Sequence, residues 1–239
     1  LATLLAEHIK DSPSPLTQET VVVQSRGMER YLAMTLAQEH GICAGVRFPF
    51  PAALIHELAG RLRLPGAKHP LCASRLLWRL VAALEHEDVF GDDAPPSARQ
   101  RISRALALAP VFERYMLFRP HWLKQWQRGA PCGEISPHHH TTEEWQRHLW
   151  QRVVRGAEEN HRAALTQALI DALRHDPPLK ALPHRLAVFG ISSLPPHSME
   201  LLAALGTHIP VHVYVLSPSV HAWDRRQDHE EGSAAQMLA

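Results

Sequence analysis

Val21, Val22 and Val23 run straight into Gln24-Ser25-Arg26-Gly27-Met28-Glu29-Arg30-Tyr31-Leu32, and this junction holds the residue types with the most to offer chemically. Three consecutive valines suit a strand covered on both faces. Gly27 suits a tight turn from strand to helix. Nucleotide-handling α/β domains use such a junction to hold phosphates, through Gly-x-x-x-x-Gly-Lys-Ser/Thr. Backbone amides and the Lys take the phosphates there, and the hydroxyl takes magnesium. That pattern is missing here. Gln24, Ser25, Arg26 and Arg30 can hydrogen-bond bases or phosphates, but they cannot run ATP chemistry. A second apolar run, Leu186 to Phe189, ends in Gly190-Ile191-Ser192-Ser193. An ATPase strand in this position ends in acids that hold magnesium and orient water. Both halves of an ATP site are therefore absent from the sequence, and no cofactor is expected.

Other candidates are weaker. His138, His139 and His140 are adjacent, so they cannot easily converge on one ion, and they read as a solvated loop. His8, His56 and His161 read mainly as surface or satisfied, partly buried residues. Asp92 and Asp93 lie in a Pro-rich loop and read as solvent-exposed. No Gly-x-Ser-x-Gly elbow occurs. Phe48-Pro49-Phe50-Pro51 is an extended segment that either stacks single-stranded bases or plugs a neighbouring core. Tyr115, Phe118, Trp122 and Trp126 have near-helical spacing, which favours packing. The interleaved Arg114, Arg119 and Arg128 are compatible with nucleic acid without being diagnostic.

The elements that position these residues follow from periodicity. Helices are expected over Leu1 to Lys10, Gly27 to His40 and Pro51 to Leu62. More follow over Ala73 to Glu87, Ser97 to Leu117 with a kink at Pro110, and from Arg119-Pro120 onward. Thr141-x-x-Glu144 reads as a capping box opening a helix to Arg155. Helices over His161 to Arg174 and from Pro195-Pro196 to Leu205 complete the set. Strands are expected at Thr20 to Gln24, Leu186 to Phe189 and Val211 to Leu216. Strand, helical block, strand, helix, strand implies an α/β fold with a parallel sheet and a large helical insertion. The division is 1–50 with 176–239 for the α/β part and 51–175 for the inserted helical subdomain.

The 239 residues are 45% hydrophobic, which supports a sizeable core, and the net charge of +1 announces no basic field. Lys10, Lys68, Lys124 and Lys180 are the only lysines, so the positive charge is nearly all Arg. A high-GC genome explains that bias, although Arg also suits phosphates and guanine edges. Cys43, Cys72 and Cys132 make no Cys-x-x-Cys pair, which fits a reducing cytoplasm. Neither a signal peptide nor a long apolar span is visible, so no membrane partner is expected. The chain opens inside a helical pattern and stops in a polar stretch, and it reads as a piece of a longer polypeptide.

Four motifs together resemble the N-terminal part of the RecC family, the gamma subunits of bacterial exodeoxyribonuclease V (RecBCD). They are Val23-Gln24-Ser25-x-Gly27-Met28 with Leu32, and Phe48-Pro49-x-Pro51-Ala52. The third is Tyr115-x-x-x-Arg119-Pro120-x-Trp122-Leu123-x-Gln125-Trp126, and the fourth is Phe189-Gly190-Ile191-Ser192-x-Leu194-Pro195-Pro196. The resemblance implies a superfamily 1 helicase-like domain pair that has lost its ATP motifs. It implies RecB-like and RecD-like partner subunits, and DNA in two forms: a forked duplex and a 3′-ended single strand scanned for the Chi sequence. Of the family's reading positions, Gln24, Arg119 and Arg162 match. Arg26, Arg30, Phe50 and His56 stand where the family has other residues, and Pro110, Val111 and Glu113 replace an acidic and apolar cluster. A channel is expected to be kept, with altered sequence preference. The rival readings are an active ATP-dependent helicase or nuclease domain, and a scaffold that serves only assembly.

Overall fold

The computed structural model describes residues 1–12, 14, 17–85, 96–175, 177–191 and 193–216. The expected Asp92-Asp93 loop, Ser192, the last turn of the helix expected to reach Glu87, and 217–239 lie outside them. Four strands form one parallel sheet in the order β2-β1-β3-β4: β1 (Glu19–Val22), β2 (Val46–Arg47), β3 (Leu186–Phe189) and β4 (Val211–Tyr214). The three expected strands thus share one sheet. β1 and β3 are central, and each of their residues is buried. β2 was not expected. It is a two-residue edge strand, and Pro49 and Pro51 just beyond it are tolerated because an edge needs fewer backbone donors.

Alternation along β1 and β3 sends side chains to two different cores. Val21, Val23, Ala187 and Phe189 meet Leu5 of α1 (Ala2–Lys10) and Leu32 of α2 (Arg26–His40). On the other face, Val22, Leu186 and Val188 meet α3 (Pro51–Arg61), α8 (Arg162–Arg174) and α9 (Pro196–Gly206), through Leu54, Leu58, Leu169, Ile170 and Leu201. Helices on both faces explain why these strands read as unbroken apolar runs.

Between α3 and α8 lie α4 (Ala73–Ala83), α5 (Ala98–Phe118), α6 (Pro120–Gln127) and α7 (His140–Val154). No strand occurs from 51 to 175 among the described residues. These four helices share a core of Leu76, Leu80, Phe112, Leu123, Trp126 and Trp150, to which α8 adds Ala163. The Phe112 and Trp150 rings stack with centroids 5.3 Å apart. α3 and α8, both within 51–175, pack on the sheet as well. Gly66, in a short 3₁₀ turn after α3, is buried directly against the backbone of Glu159, where a Cβ would collide with the carbonyl. Only glycine lets the two backbones approach so closely.

Two local expectations are corrected. The capping box is at Ser97 and Gln100, not at Thr141 and Glu144: Ser97 Oγ accepts from Gln100 N at 3.4 Å, and Gln100 Oε1 accepts from Ser97 N at 2.8 Å. α7 starts at His140, with His139 at its N-cap position and no side-chain cap, and Pro110 lies inside α5, the one long helix expected there. Of the two readings of His161 the satisfied one holds, with deeper burial than expected. His161 is 2% exposed, caps α8 by accepting from Ala164 N at 3.2 Å, and packs edge-on to Trp150.

Candidate nucleic-acid interface

The seven expected reading residues fall in three places. The first is the rim at the C-terminal ends of β1 and β2, the side of an open α/β sheet where ligands gather. Gln24 is exposed there. Ser25 caps α2 by accepting from Met28 N at 3.2 Å, which satisfies one orphan donor of the first turn. Arg26 and Arg30 project exposed from that turn and the next. Gly190, at the end of β3 with φ +65°, lies under Met28, whose Cε would be 3.3 Å from a Cβ at this position. The Phe48–Phe50 segment runs alongside: Val23 N donates to Pro49 O at 3.2 Å. Phe50 is half-buried and packs with Phe48 on the Val21, Val23 and Leu32 cluster. Much of this aromatic segment therefore seats a loop against the sheet.

The second place joins α3 and α8. His56 and Arg162, far apart in sequence, are close enough to sense each other's charge. Burial and then Arg162 push the His56 imidazole below the usual histidine range. His56 Nδ1 is buried without a hydrogen-bond partner. Burial also lowers the Arg162 guanidinium, and the Glu113 carboxylate on α5 opposes that. Glu113 thus belongs electrostatically with Arg162.

The third place is the corner between α5 and α6. Arg119 Nη1 donates to Phe118 O at 3.0 Å, and its guanidinium lies 5.5 Å from the centre of the Trp122 ring. Trp122 Nε1 donates to Glu134 at 3.2 Å. Arg119 faces a cavity of about 720 Å³ that α8 and the start of α9 complete. Its polar and aromatic partners are local to this corner, whereas the Arg162 charge acts on His56. Phe118, expected to pack, is 46% exposed; Trp126 is fully buried.

A family model described as RecC, N-terminal domain, matches residues 1–237. The chain belongs to the RecC N-terminal domain family. It is 32% identical over 234 residues to RecBCD enzyme subunit RecC of Escherichia coli (strain K12), covering 90% of this chain and 20% of that protein. It is 27% identical over 252 residues to the RecC subunit of Haemophilus influenzae (strain ATCC 51907 / DSM 11121 / KW20 / Rd), covering 92% and 22%. It is 32% identical over 252 residues to that of Mycobacterium tuberculosis (strain ATCC 25618 / H37Rv), covering 93% and 21%. The chain therefore spans about a fifth of the length of these curated relatives.

Two features of this RecC-family region were not visible from residue types alone. Glu143 is 5% exposed and accepts from Trp126 Nε1 at 3.0 Å and from Cys132 N at 2.6 Å. Burial would raise its carboxyl, but these donors outweigh it and hold Glu143 below the usual carboxylate range. Burial, reinforced by Glu143, pushes the Cys132 thiol up to about 12, so this cysteine is no nucleophile. Among the described residues no group of three His, Cys, Asp or Glu side chains is placed to hold a metal ion, the His138–His140 run included. No described helix is long and apolar enough to cross a membrane.

Proposed function

We propose that this RecC-family region is a non-catalytic DNA-guiding and Chi-scanning wall of a RecBCD-like complex. Its sheet is that of a superfamily 1-like helicase domain without ATP chemistry, made by 1–50 and 176–239, with the inserted helical subdomain at 51–175. Its partners are RecB-like and RecD-like subunits, a forked duplex, and the 3′-ended single strand. One observation carries the reading. At the strand-to-helix rim, where a phosphate loop would stand, a Ser25-capped helix presents exposed Gln24, Arg26 and Arg30. Gln and Arg can read base edges in an unpaired strand, and Phe50, His56, Arg119 and Arg162 are the further residues assigned to the channel. Family membership supplies the context of strand guidance.

The test uses the assembled complex. Removing a side chain that bonds a base edge bidentately weakens recognition by about 1–3 kcal/mol. Gln24→Ala or Arg162→Ala is therefore expected to reduce the response to the hotspot sequence by roughly tenfold or more while duplex unwinding stays near wild type. Equal loss of both activities would instead make these residues structural. Arg26, Arg30 and His56 predict a preferred hotspot different from the Chi octamer that the family resemblance implies. An unchanged response to that octamer would refute this part.

The absent loop and the absent acid give a second expected outcome. Isothermal titration of this region with magnesium–ATP should show no specific binding, because Gln24–Arg30 carries no lysine, the Ser25 hydroxyl caps α2, and no acid stands directly after Phe189. Micromolar affinity would overturn the reading in favour of an active motor domain.

A further inference from the structure

α4 is amphipathic, yet its outward face is not that of an ordinary solvated helix. Leu76, Leu80 and, just past the helix, Leu84 point into the helical core. The opposite stripe carries Arg75, Trp78 and Arg79, spaced so that they line one face. Trp78 is 63% exposed, and among the described tryptophans it alone is exposed. A large aromatic ring left in water beside two guanidinium groups is not explained by packing.

Two hollows flank this stripe, of about 510 and about 520 Å³, and Arg79 lines both. Arg75 and Trp78 wall the first; Arg152, Arg155 and Glu85 wall the second. The positive groups are held in place. Arg79 Nη1 donates to the Val153 carbonyl at 2.7 Å and the Arg155 carbonyl at 3.2 Å, at the end of α7. Arg75 Nη1 donates to Pro70 O at 3.3 Å. Glu85, the carboxylate lining the second hollow, is engaged by Arg101 at 3.0 Å. Arg75 and Arg79 thus flank the Trp78 ring on the first hollow, and Arg79, Arg152 and Arg155 line the second, in a chain whose net charge is only +1.

We infer that the α4–α7 face around Trp78 is a second binding surface for single-stranded nucleic acid, separate from the Gln24–Arg30 rim. It holds a strand by stacking a base on Trp78 while Arg75 and Arg155 meet flanking phosphates. This rests on the reading of the chain as a DNA-guiding wall. It adds a sequence-tolerant grip, because every base has a π-face and every linkage a phosphate. An acidic protein surface would satisfy the arginines but leaves the ring between them without a matching partner.

The experiment uses the full-length subunit in its assembled complex, with an oligothymidylate carrying 5-iododeoxyuridine as the probe. Irradiation is expected to cross-link the strand to the peptide containing Trp78. Trp78→Ala should abolish that adduct and weaken single-strand affinity about tenfold. Arg75→Gln with Arg155→Gln should make the slope of log affinity against log salt shallower by about 1.4, since each phosphate left without its arginine accounts for about 0.7. All three side chains are on the surface, so the variants should fold, which circular dichroism checks. The proposal is overturned if no adduct forms at Trp78 and the salt slope is unchanged. It is equally overturned if the variants lose subunit assembly while assembled complexes bind the strand normally, which would give this face to a protein partner. Hotspot response in Gln24→Ala complexes serves as the separate readout. Its loss with no effect at Trp78 removes this surface alone. A Trp78 adduct with an unaltered Gln24→Ala response removes the rim reading alone.

Discussion

Replacing Arg185 by Ala is expected to destabilise the protein by about 3–5 kcal/mol, the range for stripping one partner from a buried ion pair. Arg185 precedes β3, and Glu19 begins β1. Arg185 Nε and Nη2 donate to the two Glu19 carboxylate oxygens at 2.8 Å each. The side chains are 12% and 6% exposed. Arg185 Nη2 also donates to the His8 carbonyl at 2.8 Å, near the end of α1. The Glu19 carboxylate holds the guanidinium above its ordinary value. Removing Arg185 would leave a carboxylate in the core without its counter-charge and a helix-end carbonyl without its donor. Urea unfolding of Arg185→Ala should show the loss, and the double variant Arg185→Met with Glu19→Leu should recover much of it, because no buried charge then remains. A loss under about 1 kcal/mol in the single variant would mean that water reaches Glu19.

Acid should destabilise the protein through His161. The imidazole is 2% exposed, and burial lowers its pKa to about 4 from an ordinary 6.5. Ala164 N donates to Nδ1 at 3.2 Å, so a second ring proton there would meet a backbone N–H, and Gln127 Nε2 lies 2.9 Å from Nε2. A neutral ring suits this site and a charged one does not. The unfolded chain takes up the proton first, so stability is complete above about pH 6.5 and falls as pH drops toward 4. The 2.5-unit difference corresponds to about 3 kcal/mol lost by the bottom of that window. Burial lowers His56 and His212 as well, with the same sign. The informative comparison is therefore wild type against His161→Asn, which keeps an N-cap acceptor but cannot titrate. The variant should show a flatter stability profile between about pH 7.5 and about pH 4.5. Parallel profiles would place the acid sensitivity elsewhere.

How far the sequence carried depended on whether a feature was local. Leu186 to Phe189 is four apolar residues in a row before a glycine, and it is a strand with those bounds. The junction from Val23 to Arg30 was legible for the same reason: strand, cap, turn and helix are all written within a few residues. β2 was not, because two residues before a proline-rich segment carry no period, and only the neighbouring β1 makes them a strand. Thr141-x-x-Glu144 has the composition of a capping box, but Ser97-x-x-Gln100 has the geometry. Phe118 and Trp126 share a plausible helical spacing, yet the turn at Arg119 sends one outward and one into the core. The proximity of His56 to Arg162, and of Glu143 to Trp126 and Cys132, is a product of tertiary folding that no spacing encodes.

α8 gives Leu165, Leu169, Ile170 and Leu173 to the sheet core and Ala163 to the helical core, while His161 at its cap touches Trp150. The helical block and the sheet consequently share a wall instead of meeting across a linker. Neither can melt without stripping the other of part of its lining, so their unfolding is tied into one cooperative event. A pull on the block would be felt as tension in the sheet, and α8 is the tendon that carries it.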